Sequence, residues 1–254
     1  MSVPNAPDLS IIIPAYNEEQ RLPRGLAKIR DYIASRNLAP SQVEIVVVDD
    51  GSKDGTAAIT KEWSYKFLSV RLVSNGRNRG KGYSVRQGML EARGRIALFT
   101  DADLSAPIEE ADKLLAAIEA GNDVAIGSRA VDRSLIFVHQ SRLREIAGMI
   151  FNGFVRLFTG LPFQDTQCGF KAFVRERSRV IFEQQRIEGF GFDPEVLFLA
   201  KRHGLRAAEI PVRWAHDSAT KVHVVRDSVL MFLDLVYIRW NWLLGRYPKR
   251  LSAK

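Results

Sequence analysis

Two carboxylates one residue apart end the apolar run in "IALFTDADLSAP", residues 96–107: Asp101 and Asp103. Side chains two apart on an extended backbone point to the same side. Such a pair can hold a hard divalent ion, Mg2+ or Mn2+, against a diphosphate. The ion would neutralise phosphate charge and act as a Lewis acid on a departing diphosphate. The same stretch also reads as turn chemistry, with Asp103 or Ser105 capping a helix that begins near "APIEE". D-x-D is short and frequent by chance, so its meaning depends on its company.

That company is polar and sits at the ends of other apolar runs. "VVDDGSKDGT" delivers Asp50 onto a glycine turn. An ionised carboxylate only accepts hydrogen bonds, so Asp50 could read a base N–H or ribose hydroxyls; Asp-Gly is equally a common turn former. "NRGKGYSVRQG" places Arg79, Lys81 and Arg86 around Gly80 and Gly82. Glycines let backbone N–H groups approach an anion, and a helix N-terminus adds positive potential. The stretch is neither a Walker loop nor a dinucleotide fingerprint, which argues against those two nucleotide-binding classes. His216 in "VRWAHDSATK" either completes a metal site or is structural. Cys168, the one cysteine, has no neighbours that mark a reactive thiolate and excludes an internal disulfide framework.

Strands and helices alternate to position these groups. "LSIIIPAYNEE" reads as a strand over Leu9–Ile13 stopped by Pro14, followed by a helix near residues 22–35. "VEIVVVDD", "SVRLVSN", "RIALFTDADLS" and "DVAIGSR" read as further strands, with helices starting near Gly55, Gly80 and Ile108 between them. This alternation predicts an α/β fold around a mostly parallel sheet. Ligands of such sheets bind beyond the carboxyl ends of the strands. Asn17, Glu18, Asp50, Asn75, Asp101, Asp103 and Arg129 all follow strands and should gather at that edge.

The pattern changes after Arg129. Apolar residues at 143, 146, 147, 150, 151, 154, 157 and 158 have helical spacing, and "RDSVLMFLDLVYIRWNWLLGRYPKR" repeats the theme with Trp240, Trp242 and Tyr247. Each reads as a core-facing helix or as an amphipathic helix at a membrane interface. Charge divides at the same place. Residues 1–128 carry 16 basic and 17 acidic side chains, and residues 129–254 carry 21 and 12, so the formal +8 lies wholly in the second half. That asymmetry suits an anionic partner or a solvated basic face. The first residues show no signal peptide, and no uncharged apolar run reaches about 18 residues, the length of a spanning helix.

Taken in order, "PAYNEE" (14–19), "VVDDGSKDGT" (47–56), "RGKGYSVRQG" (79–88), "TDADLS" (100–105) and "IGSR" (126–129) resemble the family 2 glycosyltransferases of the GT-A fold. "DTQCGFKAF" (165–173), "GFDPEVLFLA" (191–200) and "RWAHDSATKV" (213–222) look like the branch that makes dolichyl- or polyprenyl-phosphate sugars, the dolichyl-phosphate β-glucosyltransferases in particular. The resemblance covers residues 9–238 and implies a nucleotide-sugar donor, Mg2+ or Mn2+, and inverting transfer. It implies that Pro14, Tyr16, Glu18, Asp50 and Asp101 meet the donor nucleotide, and Lys81 of the glycine-rich turn is expected beside them. Asp101 and Asp103 would hold the metal, with His216 the candidate to complete its site, and Arg129, Arg144 and Lys221 the acceptor phosphate. Ser105 stands where mannosyl relatives often have Gln as a further metal contact. It further implies a glycosyltransferase domain over 1–222, with a nucleotide-sugar half near 9–128, an acceptor half near 129–222 and an interfacial helix near 142–160. Residues 223–254 would form a C-terminal amphipathic segment. Many eukaryotic relatives have an N-terminal anchor that is not read here, so attachment is expected through amphipathic helices, peripherally on the cytoplasmic face of an anionic membrane.

A phosphate acceptor changes the chemistry required. A phosphate monoester has its second pKa at about 6 and is largely dianionic near neutrality. It can attack an anomeric carbon without a strong base, whereas an alcohol needs one. Asp103, Asp165 and Asp193 are the catalytic candidates, the last two as base or as orienting groups. "DTQCGFK" favours glucose from UDP-glucose, and GDP-mannose is the alternative donor. The basic composition alone would also fit nucleic acid, but the aromatics lie in apolar helical stripes and no RNA-recognition signature is present, so no nucleic-acid partner is expected.

Overall fold

The computed structural model describes residues 6–39, 41–67, 69–138, 142–215 and 224–248, except for the side chains of 142–145 and 224–227. The β-branched runs form β1 (Leu9–Ala15), β2 (Val43–Asp49), β3 (Val70–Ser74), β4 (Ile96–Thr100) and β5 (Val124–Ser128). Helices α1 (Leu22–Ser35), α2 (Thr56–Lys66), α3 (Lys81–Glu91) and α4 (Ala111–Glu119) connect them. A short β6 (Ile136–Val138) and α5 (Arg142–Thr159) follow. Then come β7 (Phe170–Val174), α6 (Arg175–Gln184), α7 (Phe192–Arg202), β8 (Ala207–Pro211), β9 (Trp214–Ala215) and α8 (Val224–Leu243).

The main sheet has the order β3-β2-β1-β4-β7-β5-β8, and β6 pairs with β9 separately. All pairings in the main sheet are parallel except those of β7, which runs antiparallel between β4 and β5. This reversal matters for function. The start of β7 lies at the edge where β4 ends, which brings the residues of "CGFK" beside those of "TDAD".

Both faces of the sheet are covered, so the strands are apolar on both sides. Ile11, Ile13, Val47 and Leu98 pack on one face with Leu26 and Ile29 of α1 and Leu114 of α4. Ile12, Val46, Val48 and Phe99 pack on the other with Val85 of α3, Phe192 of α7 and Leu235 of α8. The first strand runs two residues past its expected end at Ile13. Pro14 pairs in register with Val48, but pairing with β4 has ended at Ile12–Phe99, so no partner on that side needs an N–H from residue 14.

α5 and α8 pack against each other through edge contacts of Phe232 with Phe154 and Phe158. Val155, Leu235 and Ile238 are buried. Their other faces expose Ile146, Met149, Ile150 and Leu157 on α5, and Val229, Leu233, Trp240 and Leu243 on α8. Among the described residues no helix is long and apolar enough to cross a membrane.

Candidate active site

β4 ends at Thr100 and the chain turns sharply. Leu104 N donates to Asp101 O (3.1 Å), Ser105 N donates to Asp103 Oδ1 (2.9 Å), and Leu104 adopts φ +50°. A leucine seldom takes that conformation. Here the side chain is buried in the core, which holds the turn and fixes the two carboxylates. Burial, together with the charge of Asp101, pushes the Asp103 carboxyl above its ordinary range. Two close carboxylates of which one resists ionisation are a site that a cation would relieve.

One cation is already present. Lys81 opens α3, and its Nζ lies 2.6 Å from Asp101 Oδ1. Burial alone would lower the Lys81 pKa, but the charges of Asp101 and Asp193 outweigh it and the net direction is upward. A protonated lysine at a helix N-terminus suits a phosphate group. The preceding turn needs its glycines. Gly80 has φ +107°, and a Cβ on Gly82 would lie 2.7 Å from the Ile187 carbonyl oxygen.

Asp50 organises this loop. Its carboxylate accepts from Asn75 Nδ2 (2.8 Å), Arg79 N (3.0 Å) and Gly80 N (2.8 Å). A carboxylate has about four acceptor positions, so about one remains for a ligand. Pro14 and Tyr16 lie at the end of β1 beside it. Glu18 takes both Arg21 Nε (2.6 Å) and an Arg21 terminal nitrogen (2.7 Å), and its N–H donates to Thr56 Oγ1 (2.7 Å). Arg21 is close enough to Asp103 to lower that carboxyl's pKa in part. Its sequence context gave no sign of that proximity.

On the other side, Arg129 follows β5 and grips Asp165 with two guanidinium nitrogens at 2.6 and 2.9 Å. Its N–H also donates to Asp165 (3.1 Å), and the guanidinium lies 5.4 Å from the Trp214 ring centre. Burial would raise the Asp165 pKa, but the Arg129 charge and hydrogen bonds lower it to about 2. The two residues line a cavity of about 150 Å³ with Met149, Asn152, Gln167 and Trp214. The wall therefore combines a paired arginine with apolar side chains of α5.

Asp193, in the first turn of α7, is buried and accepts from Lys171 Nζ (2.5 Å). Lys171 was not expected from the sequence; nor was Gly169, where a Cβ would collide with the Asp101 carboxylate. Burial pushes the Cys168 thiol up to about 12, which leaves it protonated and inert. Arg144 lies in α5 with its side chain outside the described residues, and His216 and Lys221 lie outside them altogether. Among the described residues no group of three His, Cys, Asp or Glu could hold a metal ion. Asp101 and Asp103 nonetheless offer the hard oxygens that Mg2+ or Mn2+ prefers, and a diphosphate and water would complete the shell.

The model of "Glycosyl transferase family 2" matches residues 10–182. The dolichyl-phosphate beta-glucosyltransferase of Drosophila melanogaster is 37% identical over 250 residues, covering 94% of this chain and 77% of that protein. That of Saccharomyces cerevisiae is 38% identical over 257 residues, covering 94% and 76%. The human protein of the same name is 33% identical, covering 97% and 79%. Glucosyl-3-phosphoglycerate synthase from Mycobacterium tuberculosis, solved with uridine diphosphate, superposes with a TM-score of 0.63 at 20% identity, over 96% of this chain and 81% of that one. The same enzyme has been solved with Mn2+ and UDP-glucose. The fold is therefore GT-A-like, and the chain belongs to glycosyl transferase family 2 as a glycosyltransferase resembling the dolichyl-phosphate β-glucosyltransferases.

Proposed function

We propose that this protein transfers glucose from UDP-glucose to dolichyl or another polyprenyl phosphate, with inversion, at a membrane surface. The observation that carries the proposal is the charge arrangement at the end of β4. Asp101 and Asp103 crowd together and Lys81 stands against Asp101 at the start of α3. This is a seat for a diphosphate and its counterion. The names of the relatives favour glucose and dolichyl phosphate.

The donor's nucleoside would lie over the ends of β1 and β2, near Pro14, Tyr16, Glu18 and Asp50. Its diphosphate would meet Lys81 and the α3 N-terminus. Asp101 and Asp103 would hold Mg2+ or Mn2+, which when bound supplies Lewis-acid stabilisation of the departing diphosphate. On the acceptor side, Arg129 presents a guanidinium fixed by Asp165 and Trp214. Arg144 and Lys221 are the further candidates for the acceptor phosphate, and His216 for the metal.

A dianionic phosphate oxygen attacks the anomeric carbon from the face opposite the diphosphate. The new O–C1 bond forms as the C1–O bond to the diphosphate breaks, and no proton needs to move. The carboxylates agree with that economy. Asp165, held at about 2 by Arg129, is a weak base at neutral pH. Asp193 is tied to Lys171. Both are better suited to orienting cations than to removing protons, so catalysis rests on positioning and charge.

The acceptor explains the apolar surfaces of α5 and α8. Helices with outward Leu, Ile and Trp beside a basic face lie at a bilayer interface without crossing it. The arrangement would place the protein peripherally, with the Arg129 wall near the lipid headgroups.

Purified protein with vesicles containing dolichyl phosphate should form a glucosylated lipid from UDP-[14C]glucose with Mn2+ or Mg2+, and far less in excess EDTA. Product from GDP-mannose alone would replace glucose with mannose. No lipid product from either donor would remove the lipid-phosphate reading.

A further inference from the structure

Lys171 is the second residue of β7 and pairs in register with Phe99, two residues before Asp101. It is 0% exposed. A buried ammonium is costly and needs partners. Its Nζ donates to Cys168 O (2.6 Å) and Asp193 Oδ1 (2.5 Å), and lies 5.3 Å from the Phe99 ring centre. Packing alone does not call for a lysine. Phe99, Phe173, Phe182 and Phe192 surround this face of the sheet in aromatic contact. A buried ion pair is often matched in stability by apolar side chains of similar volume.

The pair does have a consequence at the site. Burial pushes the Asp193 carboxyl up, and Lys171 and Lys81 hold it back. Asp193 also lies close enough to Lys81 for the two opposite charges to attract each other. Lys81 meets Asp101, whose carboxylate sits against Gly169 at the start of β7. Charges therefore alternate from the interior outward: Lys171, Asp193, Lys81, Asp101. The last two side chains reach solvent, at 22% and 34% exposure, while the first two do not.

We propose that Lys171 is a positioning residue for glycosyl transfer: by countering Asp193 it keeps a fixed anion behind Lys81, and so fixes the ammonium that receives the donor diphosphate. This rests on the donor-site reading given above. Lys171 touches no substrate, so its effect must appear on the donor side and must run through Asp193.

The test compares wild type, Lys171→Met, Lys171→Arg, Asp193→Asn and the double variant Lys171→Met/Asp193→Asn. Steady-state transfer to dolichyl phosphate is measured beside UDP binding by calorimetry with Mn2+. Lys171→Met should lower kcat/KM for UDP-glucose at least tenfold and weaken UDP binding at least fivefold. KM for dolichyl phosphate should change less than threefold. Lys171→Arg, which keeps the charge, should recover most of the donor affinity. The double variant should match Asp193→Asn within threefold, because Lys171 has nothing to act through once Asp193 is neutral. If Lys171→Met does not fold, the double variant, which leaves no buried unpaired charge, decides the matter against Asp193→Asn. Losses that multiply in the double variant, or a Lys171→Met protein with wild-type UDP affinity and only a lower Tm, would overturn the proposal. A wild type that transfers no glucose, but whose UDP affinity still falls on Lys171→Met, would remove the function and leave the positioning role standing.

Discussion

Asp103 carries a sharp expectation at the scale of single residues. Its carboxyl pKa is raised by burial and by Asp101, so the fold disfavours the charge that the chemistry would use. Asp103→Asn removes the charge, and its amide oxygen can still accept from Ser105 N. Transfer should fall at least a hundredfold while Tm at pH 7 stays level or rises. Wild-type turnover would take Asp103 out of the site, and a large loss of Tm would mean that it holds the turn instead. The residues legible in the sequence were those that stand at strand ends or on the glycine turn: Asp101, Asp103, Asp50 and Lys81. Lys171 and Arg21 were not, because their roles exist only once distant segments meet. Lys171 lies inside β7 and meets Asp193 of α7 only in the fold, and Arg21 reaches towards Asp103 from the start of α1.

At the scale of elements, periodicity located β1 to β5, α1 to α4 and the two amphipathic helices. It did not reveal that β7 inserts antiparallel between β4 and β5. A five-residue strand carries no mark of direction, and "CGFKAF" was legible only as part of a motif. The insertion predicts an outcome for Gly169→Ala. The added methyl would meet the Asp101 carboxylate, so UDP binding with Mn2+ should weaken at least tenfold. Calorimetry checks this, and unchanged affinity would separate Asp101 from the donor site. The helices α5 and α8 support a second test. Leu157 and Leu243 are 77% and 66% exposed, so Leu157→Asp and Leu243→Asp should leave Tm nearly unchanged. Each lost leucine forfeits about 1.5–3 kcal/mol of burial in the bilayer interface. The double substitution should therefore lower partition onto anionic vesicles at least a hundredfold in sedimentation, with UDP affinity intact. Equal partition of variant and wild type would clear these faces of any membrane role.

At the scale of the whole molecule, one buried carboxylate ties distant parts of the fold together. Glu195 of α7 accepts from Arg186 N (3.0 Å), Ile187 N (2.9 Å) and Tyr247 Oη (2.6 Å). It thus joins the chain after α8 to the loop against which Gly82 packs. Burial outweighs these bonds and pushes its carboxyl up from 4.5 to about 7. The sign follows from linkage: the fold binds this proton more tightly than the unfolded chain does. The stabilising contribution is complete below about pH 4.5 and is lost as pH rises through 7. Asp234, pushed up to about 6 by burial, acts in the same sense. Asp165 acts in the opposite sense, but its contribution changes only as pH falls from 3.8 towards 2. Between pH 5.5 and 8, Glu195 therefore removes on the order of 2 kcal/mol, which corresponds to roughly 4–8 °C in Tm for a chain of this size. Glu195→Gln keeps an acceptor for the two backbone N–H groups and can donate to Tyr247, but it does not titrate. Its Tm should fall less than that of wild type over this interval, as read by thermal unfolding at pH 5.5 and 8. Parallel declines in the two proteins would show that the proton is lost elsewhere.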